Sequence, residues 1–161
     1  MENSLELTTT IALNAWNIHI DRVNKIFDEL SDDELAKEVS PGRNTGIYLL
    51  GHMAAVHDAM LPLLGLGDAS YPQLVPIFIR TPDKSGVEKP PVNELRKCWK
   101  DANGKLAERF NSMKPEQWLE RHTSISEEDF KKEPHRNRLS VLLSRTNHLA
   151  SHMGQLLFLK N

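Results

Sequence analysis

The sequence lacks most features that announce a function at sight. It has a single cysteine, Cys98, in 161 residues, so no internal disulfide can form and a reducing compartment is expected. Charge of either sign is not in excess: 20 Lys and Arg stand against 22 Asp and Glu, a net charge of −2. Nucleic-acid-binding domains usually carry a clear basic surplus, so no nucleic-acid partner is expected. The first residues, Met1-Glu2-Asn3-Ser4, lack the basic and apolar regions of a signal peptide, which fits a cytoplasmic location. The longest apolar stretch, Ile47 to Leu66, is interrupted by His52, His57, Asp58 and Pro62 and falls short of a membrane span. There is no internal repeat, low-complexity tract, Gly-rich phosphate loop or Gly-x-Ser-x-Gly elbow, and phosphoryl transfer and serine hydrolysis lose their usual support.

What is present is the composition of an ordinary globular protein, 39% apolar and 26% charged, of a length that points to one domain over residues 1–161. Helical periodicity dominates. Leu13, Trp16, Ile20, Val23, Phe27 and Leu30 recur at spacings of three and four, the stripe of an amphipathic helix, with Asn3 and Glu6 at its start. Ser31-Asp32-Asp33-Glu34 reads as a capping box opening a short bridging helix. From Thr45 to Leu64 nearly every side is apolar, which marks a helix that is central or also forms a dimer interface. Pro72, Pro76, Pro82, Pro90 and Pro91 break regular structure in a long crossover from Gly65 to Pro91. Leu95, Trp99, Ala102, Leu106, Phe110 and Met113 define a third helix, which Gly104 weakens slightly. Lys114 to Arg136 reads as a second long connection, with helical turns near Pro115–Trp118 and Ser126–Lys131. A last helix is expected from Arg138 to Leu159, capped by Asn137 and facing the core with Leu139, Leu142, Leu149, Met153 and Leu156. The fold class is therefore all-α, a four-helix bundle with long crossover connections.

The histidines carry the chemistry. His148 and His152 are four apart on the last helix, one turn above the other on the same side, so both imidazoles can reach one metal ion. The pair is unspecific alone and needs a third ligand. His52 supplies a candidate, because its neighbours at helical spacing, Tyr48, Leu49, Ala55 and Val56, place it on an apolar face, where an imidazole needs a partner. At 1.5 Å per residue His52 lies roughly 10 Å from its helix start and the pair roughly 14 Å from its helix end. Those depths match if the two helices are antiparallel, which gives the order up, down, down, up. Three imidazoles suit zinc, nickel, copper or iron(II) better than magnesium or calcium, with zinc and nickel foremost. Three protein ligands leave a coordination position for water or substrate.

Leu50-Gly51-His52 in the second helix, together with Asn147-His148-Leu149-Ala150-Ser151-His152-Met153-Gly154-Gln155-Leu156 near the C-terminus, resembles the DinB-like (DinB/YfiT) metalloprotein family over essentially the whole chain. The resemblance implies a four-helix bundle in up-down-down-up order, a divalent ion on His52, His148 and His152, and homodimers. Some relatives are S-transferases that use bacillithiol, mycothiol or a similar small thiol, and related folds serve maleylpyruvate isomerisation. The function it implies is a metal-dependent transferase acting on a small molecule with a low-molecular-weight thiol. A noncatalytic metal- or ligand-binding bundle and a metal-dependent hydrolase are the alternatives, and a purely structural dimer is the reading without a metal.

No catalytic side chain is assigned: no carboxylate falls beside His52 or the His148/His152 pair. Cys98, next to Trp99, reads as a structural residue. Arg145 shares the side of the last helix that carries His148 and His152 and either binds an anionic substrate group or lies exposed at the bundle end. Gln155 either orients a ligand histidine or packs the helix. His19, His57, His122 and His135 fall outside the metal set, the last two in charged surroundings where a solvated side chain is the default.

Overall fold

The computed structural model describes residues 2–160. The chain is all-helical, with no β-strand among the described residues. Helix α1 spans Glu2–Glu29. It begins ahead of Asn3, whose side chain lies outside the described residues. Its stripe is buried at Trp16, Val23, Phe27 and Leu30, with Leu13 and Ile20 partly covered. The short α2, Asp32–Leu35, has the expected box: Glu34 N donates to the Ser31 hydroxyl and the Glu34 carboxylate accepts from Ser31 N.

Helix α3, Gly46–Asp58, is capped by Thr45, whose hydroxyl accepts from Tyr48 N. It ends before the expected Leu64. The cause is Pro62, which has no N–H to donate to the carbonyl of Asp58; a break at Ala59 separates α3 from the single turn α4, Met60–Leu63. Eleven of the thirteen residues of α3 are buried. Leu49, Leu50 and Met53 are fully covered, each worth about 2 kcal/mol in apolar surface withdrawn from water.

The proline-rich crossover is not wholly irregular, because residues Leu74–Phe78 form α5, packed on α3. Helix α6, Val92–Ser112, buries Leu95, Trp99, Ala102, Leu106 and Phe110 as its stripe requires, and it runs through Gly104 unbroken. A 3-10 turn at Pro115–Leu119 and α7, Glu127–Lys132, lie in the second connection close to where the sequence puts helical turns. Helix α8, Arg138–Leu156, starts on the Asn137 cap and tightens into a 3-10 turn over Leu157–Leu159.

The packing order follows from a few contacts. Gly46 lies against Leu159, so close that a Cβ there would stand 2.6 Å from Leu159 Cδ1 and 2.9 Å from Leu35 Cα. The start of α3 therefore meets the end of α8. His57 of α3 bonds Asn103 of α6, Trp99 of α6 donates to Asn24 of α1, and Lys160 beyond α8 pairs with Glu29 at the end of α1. Among the described residues no helix is long and apolar enough to cross a membrane.

Candidate metal centre

His52, His148 and His152 converge where α3 meets α8. Nε2 of His148 stands 3.0 Å from Nε2 of His52 and 3.0 Å from Nε2 of His152. Ring centroids lie 5.1, 5.0 and 4.4 Å apart, with interplanar angles of 55°, 78° and 89°, so the imidazoles splay around a common point and do not stack. All three are half-buried, and among the described residues they form a group whose ligand atoms lie within 4.8 Å of one another. The structure thus brings together the three residues singled out from the sequence.

Hydrogen bonds on the far sides of the rings decide which atoms face inward. The Phe78 carbonyl oxygen, 2.7 Å from His52 Nδ1, can only accept, so the ring proton sits on Nδ1 and Nε2 presents a lone pair. Gln155 Oε1, 2.8 Å from His152 Nδ1, imposes the same tautomer on His152. His148 then has one ring proton facing two lone pairs, so whichever nitrogen carries it, at least one inward contact is lone pair to lone pair. Its Nδ1 is buried with no hydrogen-bond partner. Two inward acceptors, and a third when the His148 proton is on Nδ1, make a mismatch that a cation resolves. Nitrogens bound about 2.0–2.1 Å from a shared ion stand about 2.9 Å apart at right angles and about 3.3 Å apart in a tetrahedron, a range that takes in the 3.0 Å of these side chains. The donor set fits a divalent transition metal.

Electrostatics keeps the ligands neutral. Burial, reinforced by His152, His52 and Arg145, lowers the His148 pKa to about 4. His52 is also lowered, mainly by burial, with the Phe78 hydrogen bond opposing. At neutral pH both are uncharged imidazoles, the form that ligates a metal.

The Leu-Gly-His step has a steric reason. A Cβ on Gly51 would lie 2.3–2.6 Å from three atoms of the Phe78 ring, so only glycine lets α5 approach α3 closely enough for the Phe78 carbonyl to meet His52. Tyr48, one turn earlier, donates to the same carbonyl at 3.2 Å and to that of Thr81 at 2.8 Å. Asp83 fixes the crossover again, accepting from Thr45 N at 2.7 Å and Thr45 Oγ1 at 2.8 Å while pairing with Lys89. The crossover is therefore the brace that aims His52. Phe78, Tyr48 and Asp83 were not singled out from the sequence; the signal that could have found them is Gly51, a helix breaker in the middle of an apolar helix.

The other four histidines stay out of the cluster. His57 is fully buried between the rings of Trp16 and Trp99, at 4.8 and 4.9 Å, with Nδ1 2.7 Å from Asn103 Oδ1. Burial drops its pKa to about 3. His19 Nδ1 donates to the Ala15 carbonyl, and His135 is exposed. His122 is half-buried, against the expectation of a solvated side chain, because it lines a pocket on α8. Cys98 is buried and unpaired, and burial raises its thiol pKa, so it is a core residue with little thiolate. Gln155 takes the ring-orienting role. Arg145 is not an exposed bundle-end arginine: it is half-buried, with Nε unpartnered.

Fold and site together define an all-helical protein with a three-histidine cluster able to hold a metal ion. The family model of the DinB superfamily matches residues 15–156, a span that takes in all three histidines, and the chain belongs to that superfamily. No curated protein matches it.

Proposed function

We propose that the protein is a metal-dependent transferase in which Nε2 of His52, His148 and His152 hold zinc or nickel and a small thiol serves as cosubstrate. The observation that carries this reading is the convergence of three imidazole Nε2 atoms, two of them with lone pairs turned inward by the Phe78 carbonyl and the Gln155 amide. When bound, a divalent ion supplies a Lewis acid that favours the thiolate of a small thiol at neutral pH. An all-imidazole set contributes no negative charge, so the site retains a net positive charge that attracts such an anion. The thiol comes from a ligand, since Cys98 is buried away from the cluster. Gln155, which accepts from His152, also lines a cavity of about 490 Å³ with Arg43, Asn44 and Phe158, room for a small molecule.

The same reading takes α1, α3, α6 and α8 as a bundle in up-down-down-up order. The contacts of Gly46 with Leu159, His57 with Asn103, Trp99 with Asn24 and Glu29 with Lys160 all fit it. It also includes a cytoplasmic homodimer. Leu7, Ile11 and Ile18 stand exposed along α1 and Leu143 along α8, apolar area that a second copy would cover; light scattering gives the oligomeric state.

Elemental analysis of untagged protein, purified without chelator, tests the site beside a His148→Ala/His152→Ala double variant of verified fold. About one equivalent of zinc or nickel per chain, absent from the variant, is expected for a three-imidazole site. Thiol consumption with an electrophilic small molecule, dependent on that metal, tests the reaction. Saturable metal binding without turnover favours a noncatalytic binding protein, and failure to bind metal after reconstitution overturns the proposal.

A further inference from the structure

One turn before His148, the α8 seam holds a charge that no carboxylate among the described residues answers. Arg145 is half-buried, its Nε is fully covered and without a hydrogen-bond partner, and no carboxylate lies within ion-pair distance of it among the described residues. The charge as a whole is partly exposed, and its covered Nε–H is the donor left without an acceptor. Burial alone lowers its pKa, with no acidic neighbour opposing. A chain evolved for stability alone would not keep such a group there, and a site that receives an anion would.

The surroundings agree. Arg145 lines a pocket of about 210 Å³ with Arg136, His122, His135, Ser140 and Ser144, and no lining residue is acidic. Arg136 is already paired with Glu133 at 3.0 Å, and the Ser140 hydroxyl donates to the His135 carbonyl, which leaves the Arg145 fork as the unmet donor. The positive character of the pocket is felt within it, since burial first and then Arg136 and Arg121 lower the His122 pKa. Arg145 lies three residues before His148 on α8, one turn away on the same side of the helix. Along the helix, Arg145 lies about 4.5 Å from the level of His148 and about 10 Å from that of His152.

We infer that this pocket is an oxyanion subsite in which Arg145 binds a carboxylate or phosphate group of the substrate while the rest of that molecule reaches toward the three histidines. The inference rests on the proposed function and gives it a substrate class: small molecules with an anionic group a few bonds from the reacting centre. The planar guanidinium matches both anions through two parallel N–H···O bonds, which lysine cannot supply. The pocket lies on the opposite side of the α8 histidines, along the helix, from the cavity beside Gln155.

The test uses the protein as isolated, with its metal. Inorganic phosphate and succinate are titrated separately, against chloride at equal ionic strength, and binding is read from the melting temperature and by calorimetry. Wild type is expected to show saturable binding of at least one of them, and which one binds assigns the oxyanion. Arg145→Met is expected to weaken it at least tenfold and Arg145→Lys to restore it only in part. Arg145→Met is also expected to retain its metal, and its melting temperature without added anion is read as the folding control. Equal anion binding in wild type and Arg145→Met overturns the subsite, as does the lack of any response beyond chloride. Should Arg145→Met fold poorly, full anion binding in a folded Arg145→Lys variant has the same meaning. Because metal content is read in every variant, failure of the subsite is distinguishable from failure of the metal site.

Discussion

Replacing Gly51 with alanine puts the brace of His52 to a quantitative test. The added Cβ would stand 2.3 Å from Phe78 Cε1 and 2.4 Å from Cζ, well inside contact distance, and the Phe78 ring is fully buried and cannot swing aside. Either the ring is compressed or α5 lifts from α3, and lifting α5 carries the Phe78 carbonyl away from His52 Nδ1. Overpacking of this kind costs about 1–3 kcal/mol, against a gain of about 1 kcal/mol from the better helix propensity of alanine. Steric repulsion wins, leaving a net loss of about 0–2 kcal/mol. The control is Gly104→Ala in the middle of α6, where a Cβ meets nothing within 4 Å and only the propensity gain of about 1 kcal/mol applies. The two variants should therefore differ by about 2 kcal/mol, or about 4–8 °C in melting temperature for a chain of this size. Loss of the bond that orients a ligand histidine typically weakens metal affinity about 10–100-fold. Thermal melting by circular dichroism and competition against a chromophoric zinc chelator read the two effects. If Gly51→Ala melts as high as Gly104→Ala and holds zinc as tightly as wild type, the steric account of Leu-Gly-His is wrong.

Other expectations follow from the same geometry. Gln155→Leu removes the acceptor for His152 Nδ1, but Gln155 is exposed and water can replace it, so zinc affinity should fall by no more than about tenfold, measured by the same competition. Tyr48→Phe removes a buried hydroxyl that donates to two carbonyls and should cost about 1–2 kcal/mol in urea unfolding. His57 has a folded pKa of about 3 against 6.5 for the free side chain, so the unfolded chain takes up its proton first. Its contribution is intact above pH 6.5 and is lost as pH falls toward 3, with a slope of about 1.4 kcal/mol per pH unit from this one group. Urea unfolding of His57→Gln between pH 6.5 and 4 should show a shallower loss than wild type; equal slopes would assign the acid sensitivity to other groups.

The sequence disclosed the helices whose burial is one-sided and hid what depends on contacts distant in the chain. Trp16, Val23 and Phe27 on α1 and Leu95, Trp99 and Leu106 on α6 announce themselves because a 3.6-residue period survives in the order of residues. His148 and His152 are legible for the same reason. Helix α3 is buried on nearly all sides, so periodicity could not find its end, and Pro62, a local backbone rule, decided it. Helix α5 was invisible because a segment of five residues with Pro76 in its middle carries no period, and the bond of Phe78 to His52 spans 26 positions. His57 and His122 show the same limit: each sits on a spacing that predicts nothing, and only the partners brought by other elements decide whether it is buried.

The unmet polar groups are unevenly distributed, and their placement argues for a ligand-binding seam. Elsewhere in the chain local signals are met: Ser31 and Glu34 close their capping box, Thr45, Ser126 and Asn137 cap their helices, and Arg96 donates to the carbonyls of Phe27 and Leu30. Of the four buried side-chain atoms without partners among the described residues, His148 Nδ1 and Arg145 Nε lie one turn apart on α8, His57 Nε2 is on α3, and Arg138 Nε is at the start of α8, where the same guanidinium pairs with Glu120. Each such group costs about 1–3 kcal/mol, more for a charged one. A core built for stability would fill this seam with leucine, as α8 does at Leu142 and Leu156 on the turns before and after it. Lone pairs on one turn and a guanidinium on the next form a pair of opposite demands, one for a cation and one for an anion. A single substrate that ligates a metal at one end and carries an oxyanion at the other satisfies both, and it would stabilise the folded chain in proportion to the logarithm of its concentration.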